Sequence, residues 1–330
     1  KSPTSVHSLL NTEIGIRLSN DRALGETDFE LMGMSGNNVK ILLDGIPLID
    51  RGATKQSLSQ LDVNSIERVE IVEGPMSVVY GTDALAGVIN IITKKGDGYS
   101  EENTWRVGAR VQEESMGKEY DFFKDKGLHN ESIDLGFNHK SGLFVNGGYT
   151  RNNHGGWQGD LTGREKRWHP KDQALMNGMF GFQNRNMNVW YRLDFLDEKI
   201  FGPNNGSELQ PEKVSDKDFL TKRYTHQLQS DWKLDNRLDV HAALSYQDYK
   251  RRTRTTESDL STGEKWLSSA EASQDITQYK AWIARATVAW NIAPEFSVQP
   301  GVEYQWTQGE GGRIDGTPKV SDLAFFLSAE

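Results

Sequence analysis

From Trp105 onward the apolar side chains of this chain fall on every second position, and they do so over runs too long for an ordinary sheet. In Phe296–Thr307 the residues Phe296, Val298, Pro300, Val302, Tyr304 and Trp306 share one face. Ser297, Gln299, Gly301, Glu303, Gln305 and Thr307 share the other. Leu238–Gln247 and Thr104–Gln112 repeat the scheme. Alternation of this kind means a strand with one apolar and one wet face. Soluble strands run about five or six residues, whereas a strand crossing a bilayer needs roughly nine to eleven at a steep tilt. Trp282 and Trp290 bracket Ala284, Ala286 and Val288 on one face, and Phe296 and Trp306 repeat the bracket. Eight residues at about 3.3 Å each span roughly 26 Å, the spacing of the two aromatic girdles of a membrane barrel.

Joint lengths agree. Ten strands are predicted, at 104–114, 131–139, 142–152, 173–183, 186–197, 223–233, 237–250, 276–291, 295–308 and 319–328. Short joints follow the second, fourth, sixth and eighth strands, and long polar joints follow the others. Outer-membrane barrels alternate short periplasmic turns with long extracellular loops in this way. A mean hydropathy of −0.65 fits such a wall, because lipid-facing and lumen-facing residues average out.

The first 96 residues read differently. Val69–Val72 and Val88–Thr93 are β-branched runs flanking Gly74-Pro75 and the small-residue segment Tyr80–Gly87. Pro ends a strand because it has no N–H, and Gly and Ala permit a tight return. Val39–Leu43 leads into Asp44-Gly45, a hairpin-turn pair. The ordered set Glu67-Arg68-Val69-Glu70-Ile71, Gly74-Pro75, Tyr80-Gly81, Ala84 and Gly87-Val88-Ile89-Asn90-Ile91-Ile92-Thr93 resembles the plug domain of TonB-dependent outer-membrane transporters.

That resemblance implies an α+β plug over residues 1–96, followed at 97–330 by an antiparallel transmembrane β-barrel. About ten strands of the family's 22 would be present. A ten-stranded barrel is roughly 20 Å across, too narrow for a plug about 30 Å wide, so the wall is expected to be the N-terminal portion of a larger one. The resemblance also implies residence in the bacterial outer membrane, and no enzymatic activity. It implies active uptake of haem, a ferric siderophore or cobalamin, with no covalent cofactor. The partners it implies are TonB with ExbB–ExbD on the periplasmic side, outer-membrane lipid and the small-molecule ligand, with an accessory surface lipoprotein left open. A substrate-sensing, signal-transducing receptor of the same architecture is the alternative, and a soluble β-rich binding or adhesion protein stands behind both. In the family, plug arginines pair with carboxylates on the wall. Met32 and Glu73 stand where arginines are usual, leaving Arg17, Arg51 and Arg68 for that role.

Candidate ligand contacts come from two loops. The plug segment Leu48–Ser59 corresponds to an apical loop that touches substrate in relatives, which singles out Asp50, Arg51, Thr54 and Gln56. The long loop Asn152–Asp172 holds His154, Trp157, Trp168 and His169 together with Arg164, Lys166, Arg167 and Lys171. Rings beside cations suit a flat or anionic ligand. His139 and His241 are expected to face the bore by parity. No Cys, HExxH, phosphate-binding GxxxxGK[ST] or GxSxG element is present. A net charge of −9 argues against nucleic acid.

Overall fold

The computed structural model describes residues 6–10, 13, 15–20, 27–35, 38–49, 56–74, 84–96, 102–311, 314 and 316–329. Among these no helix is long and apolar enough to cross a membrane, which says nothing of strands.

The plug holds two small sheets. β1 (Ile16–Asn20), β2 (Thr27–Leu31) and β3 (Met34–Ser35) form an antiparallel sheet. β4 (Val39–Leu43), β5 (Ile46–Pro47), β6 (Ile66–Glu73) and β7 (Gly87–Thr93) form a mixed one, in the order β5-β4-β7-β6 with β4 and β7 parallel. Helix α1 (Val6–Leu10) and a 3-10 turn at Gln56–Gln60 complete the plug core. Val39, Ile41, Leu43, Ile89 and Ile91 from the parallel pair bury themselves against Val6, Leu10, Leu31 and Leu58. Parallel strands covered on both faces read as continuous β-branched runs, and β7 does. At Gly87, with φ of +145°, a Cβ would lie 2.2 Å from the Val72 carbonyl oxygen, so only glycine lets β6 and β7 close here.

The wall is a single antiparallel path of ten strands. They are β8 (Thr104–Glu114), β9 (Leu128–Asn138), β10 (Leu143–His154), β11 (Lys171–Gln183), β12 (Met187–Gly202), β13 (Lys213–Lys233), β14 (Leu238–Asp259), β16 (Ile276–Ala293), β17 (Phe296–Glu310) and β18 (Lys319–Ala329). A short β15 (Lys265–Leu267) pairs with the tip of β14. Each wall strand pairs with the next, and β8 and β18 form the two edges of the path.

The strands run further than alternation alone predicts. β13 begins at Lys213 instead of 223, and β14 ends at Asp259 instead of 250. These outer halves are mostly polar, and their few apolar residues, Val214, Phe219 and Leu220, do not alternate, so the apolar period that marks a strand fades there while the ladder continues unbroken. His139 is not on a wall strand. It lies in the turn after β9, with Nδ1 2.8 Å from Ser141 Oγ.

Candidate functional site

The turn Asp44-Gly45, with φ of +50° and +82°, joins β4 to β5. A non-glycine residue in the left-handed region is uncommon, and Asp tolerates it best when its carboxylate is held. Here the Asp44 carboxylate accepts from Thr93 N at 3.0 Å and Thr93 Oγ1 at 2.7 Å, and Lys95 Nζ lies 3.6 Å away. Gly45 N donates to Asn90 Oδ1, and Asn90 Nδ2 donates to Glu70 Oε2, which ties the turn across β7 to β6. The motif residues Asp44, Gly45, Asn90, Glu70 and Arg68 thus form one chain of polar contacts ending at Arg68. Gly74 ends β6 with φ of +97° and donates its N–H to the Ala86 carbonyl. Pro75, Tyr80 and Gly81 lie outside the described residues.

The wall grips this turn through side-chain amides on inward-facing odd positions. Gln227 Nε2 donates to the Leu43 carbonyl at 3.2 Å and Gln229 Nε2 to the Asp44 carbonyl at 2.8 Å. Gln247 acts as a surrogate strand residue. It donates to the Pro47 carbonyl at 2.7 Å and accepts from Ile49 N at 3.0 Å. Arg223 Nη2 then donates to the Ile49 carbonyl at 3.0 Å, at the threshold of the apical segment.

A second polar seam lies around Asp62, the N-cap of the 3-10 turn Val63–Ser65. Its carboxylate accepts from Asn64 N, from Thr150 Oγ1 and from Asn177 Nδ2. Burial pushes this carboxyl above the ordinary range, against the pull of those donors and of Arg192. Arg192, 2 % exposed on β12, makes a bidentate pair with Asp194 and reaches Ser65 Oγ at 3.2 Å. Two cavities of about 30 and 20 Å³ flank Asp62 and Arg192, each with room for a water. Arg68 pairs with Glu67 and Glu70 of its own strand, not with the wall. Among the described residues, therefore, the expected polarity is inverted. Wall guanidiniums reach toward plug oxygens.

Above the plug, inward positions of β13 and β14 stack rings and cations. The Arg223 guanidinium lies 5.1 Å from the Tyr249 ring, and the Arg251 guanidinium lies 4.7 Å from the Phe219 ring. Arg223 is 5 % exposed. Among the described residues its Nε and Nη1 have no hydrogen-bond partner, and no carboxylate lies within ion-pair distance of it. Sequence reading missed this cluster. Arg223 sat at a predicted strand end and Arg251 in a predicted loop; parity continued from Gln227 and Gln247 points both into the bore.

The long-loop candidates assemble differently from expectation. His154 is the last residue of β10, on the bore-facing parity, and the loop proper is 155–170. Trp157 and Trp168 exchange backbone hydrogen bonds, and the Trp168 ring lies 5.8 Å from His154. His154 Nδ1 accepts from Gly156 N at 3.0 Å. His169 packs by Gly202. Three of the four cations are spent on structure: Arg164 on Asp216, Arg167 on Asp160 and Lys171 on Glu198. An open cleft of about 300 Å³ does lie among His154, Pro170, Lys171, Lys199 and Phe201. No group of three or more His, Asp or Glu among the described residues is arranged to hold a metal. Asp50, Arg51 and Thr54 lie outside the described residues, and Gln56 begins the 3-10 turn.

A plug seated through wall glutamines and arginines against a long-stranded antiparallel wall defines a plug-and-wall architecture. Residues 1–88 match the family model TonB-dependent Receptor Plug Domain. Three solved structures share the fold. The ferric yersiniabactin uptake receptor FyuA from Yersinia pestis aligns at 14% identity and TM-score 0.59, over 99% of this chain and 58% of that one. A mutant of the ferric enterobactin receptor PfeA from Pseudomonas aeruginosa aligns at 16% and 0.67, over 100% and 53%. The outer membrane transporter YddB from Escherichia coli aligns at 14% and 0.65, over 99% and 52%. The chain thus spans little more than half the length of these structures. Residues 1–88 therefore carry a TonB-dependent receptor plug domain, and the whole chain shares the fold of these receptors.

Proposed function

We propose that this chain supplies the plug and the first part of the wall of a receptor that takes up an anionic ferric chelate, driven through the plug by TonB with ExbB–ExbD. One observation carries the ligand class. Arg223 is a buried cation at the plug apex with no counter-ion among the described residues. A buried charge is costly unless paired, and a bound anion would pair it. Tyr249 and Phe219 offer faces for a planar chelating group. Cobalamin, which brings no comparable anionic headgroup, fits less well. Haem draws no support from His154, whose Nδ1 is taken by Gly156 N and whose neighbour Lys171 is paired with Glu198.

The same arginine links ligand to plug. Arg223 holds the Ile49 carbonyl while Gln247 holds the Ile49 N–H. A ligand that draws the guanidinium away loosens the wall's grip beside the apical segment, whose Asp50, Arg51, Thr54 and Gln56 we assign to ligand contact. Coupling of this kind requires that the ligand bind the loosened state better. The membrane reading is supported by Trp282, Trp290 and Phe296, all exposed on the outward face, with Trp306 beside Trp282.

Equilibrium binding to the complete receptor tests this, with ferric citrate, a ferric catecholate, haemin and cyanocobalamin compared. An anionic ferric chelate is expected to bind best, and Arg223→Ala to weaken it by roughly ten- to a hundredfold, the worth of a charged hydrogen bond. Tight cyanocobalamin binding that ignores Arg223→Ala would overturn the reading.

A further inference from the structure

Tyr246, Trp282 and Trp306 stand in one register row on the outward face of β14, β16 and β17. The next outward positions toward the extracellular end are Asp248, Lys280 and Gln308, and cations follow beyond them on β13 and β14. Lys222 of β13 and Lys250 of β14 are register partners, and both are exposed. Like charges set directly opposite each other destabilise a strand pair, so this arrangement does not serve the sheet. Arg252 follows on the same face between Leu220 and Ile276. Two carboxylates lie nearby. Asp197 is 3.5 Å from Lys222, and Asp248, opposite Lys280, takes a hydrogen bond from Gln278. Lys250 and Arg252 have no ion-pair partner among the described residues. A local excess of cations in a chain with 38 basic and 47 acidic residues calls for an anionic neighbour.

Height identifies that neighbour. Lys250 is four residues beyond Tyr246, roughly 13 Å along the strand and about 10 Å above the aromatic row at a tilt near 40°. The headgroup layer occupies about 5–7 Å beyond the hydrocarbon on each side, and Lys and Arg stems bend to place their charge within it. A soluble anion would find the patch half-hidden by lipid, whereas a headgroup arrives there at high local concentration.

We infer that Lys222, Lys250, Arg252 and Lys280 form a docking surface for a phosphate-bearing lipid headgroup of the outer leaflet. The inference rests on the membrane reading above. If the receptor fails to enter bilayers that reading fails; if it enters them but ignores headgroup phosphate, only this inference does.

The test uses the complete receptor in phosphatidylcholine nanodiscs doped with bisphosphorylated lipid A or with its dephosphorylated form. Retained lipid is counted by mass spectrometry after detergent exchange. The wild type is expected to retain the phosphorylated form, and Lys250→Gln/Arg252→Gln to retain at least tenfold less. The loop variant Lys118→Gln/Lys124→Gln should match the wild type. Equal retention by wild type and the first variant, equal retention of the two lipids, or an equal loss in the loop variant would overturn the proposal. Thermal unfolding gives a second readout. Lys250→Gln should raise Tm in lipid-free detergent, by relieving Lys222, and lower it when phosphorylated lipid A is present. The same sign in both media counts against the site.

Discussion

The inside of the plug and the seam between plug and wall are built from opposite materials. Inside, Val39, Ile41, Leu43, Ile89 and Ile91 make a dry core in which every one of these side chains is at most 2 % exposed. At the seam most buried wall positions that reach the plug are polar, Gln173, Arg192, Arg223, Thr225, Gln227, Gln229 and Gln247, with water-sized cavities among them and apolar contact confined to small patches such as Ile46 on Ala243 and Ile283. A dry core loses its transfer energy when opened and regains nothing. A polar seam can exchange each hydrogen bond for one to water at little net cost. The plug can therefore be remodelled along the wall more easily than across its own sheet.

The sharpest way to break this contrast is to cut into both regions of the complete receptor and compare. Ile89→Ala with Ile91→Ala should cost about 2–5 kcal/mol each, and hydrogen exchange in β4, β6 and β7 should accelerate while the wall strands stay protected. At the seam the largest single loss is expected from Arg192→Ala, about 3–5 kcal/mol, because Asp194 and Asp62 are left beside no cation. Denaturant melts of the plug read both. If Arg192→Ala left plug protection unchanged, the seam would have no ionic anchor at all.

How much of this was legible beforehand depended on which force wrote each segment. Wherever apolar contact decides a segment, on one face in Phe296–Thr307 or on both in Val88–Thr93, the pattern shows in the residues, and the elements fall where it places them. The outer halves of β13 and β14 are mostly polar, and Val214, Phe219 and Leu220 fall out of alternation, so Lys213–Lys222 and Arg251–Asp259 carry no period and read as loop. Arg223 and Arg251 were lost from the candidate site for that reason. The loop pairing was illegible for another reason: Arg164 finds Asp216 and Arg167 finds Asp160 through tertiary geometry that no local pattern encodes. The reversal of charge at the seam belongs to the same class, although Met32 and Glu73 hinted at it.

Smaller effects separate the seam's parts. Gln247→Ala removes both a donor to Pro47 and an acceptor for Ile49 N, and should cost about 1–3 kcal/mol at the plug edge alone. Faster exchange at Ile49 with unchanged exchange at Ile89 and Ile91 is the expected pattern. Acceleration throughout the plug sheet would mean that seam and core melt together, and the contrast would fail.

The finest test concerns Asp62, where the seam's polarity meets titration. Burial raises its folded-state pKa above the unfolded value near 3.8, so the native plug binds the proton more tightly than the unfolded chain does. Stability from this group is then fully present below the ordinary carboxylate range and declines as pH rises through the raised value, with a slope no steeper than about 1.4 kcal/mol per pH unit. Asp62→Asn cannot titrate, yet its amide oxygen can still accept from Asn64 N and Thr150 Oγ1. The variant's plug stability, followed by denaturant melts from pH 4 to pH 7, should lack the wild type's falling component and exceed the wild type most at the upper end. Parallel curves for the two proteins would show that the carboxylate is already stabilised by Arg192 and the flanking waters. The seam would then behave as a solvated surface instead of a buried one.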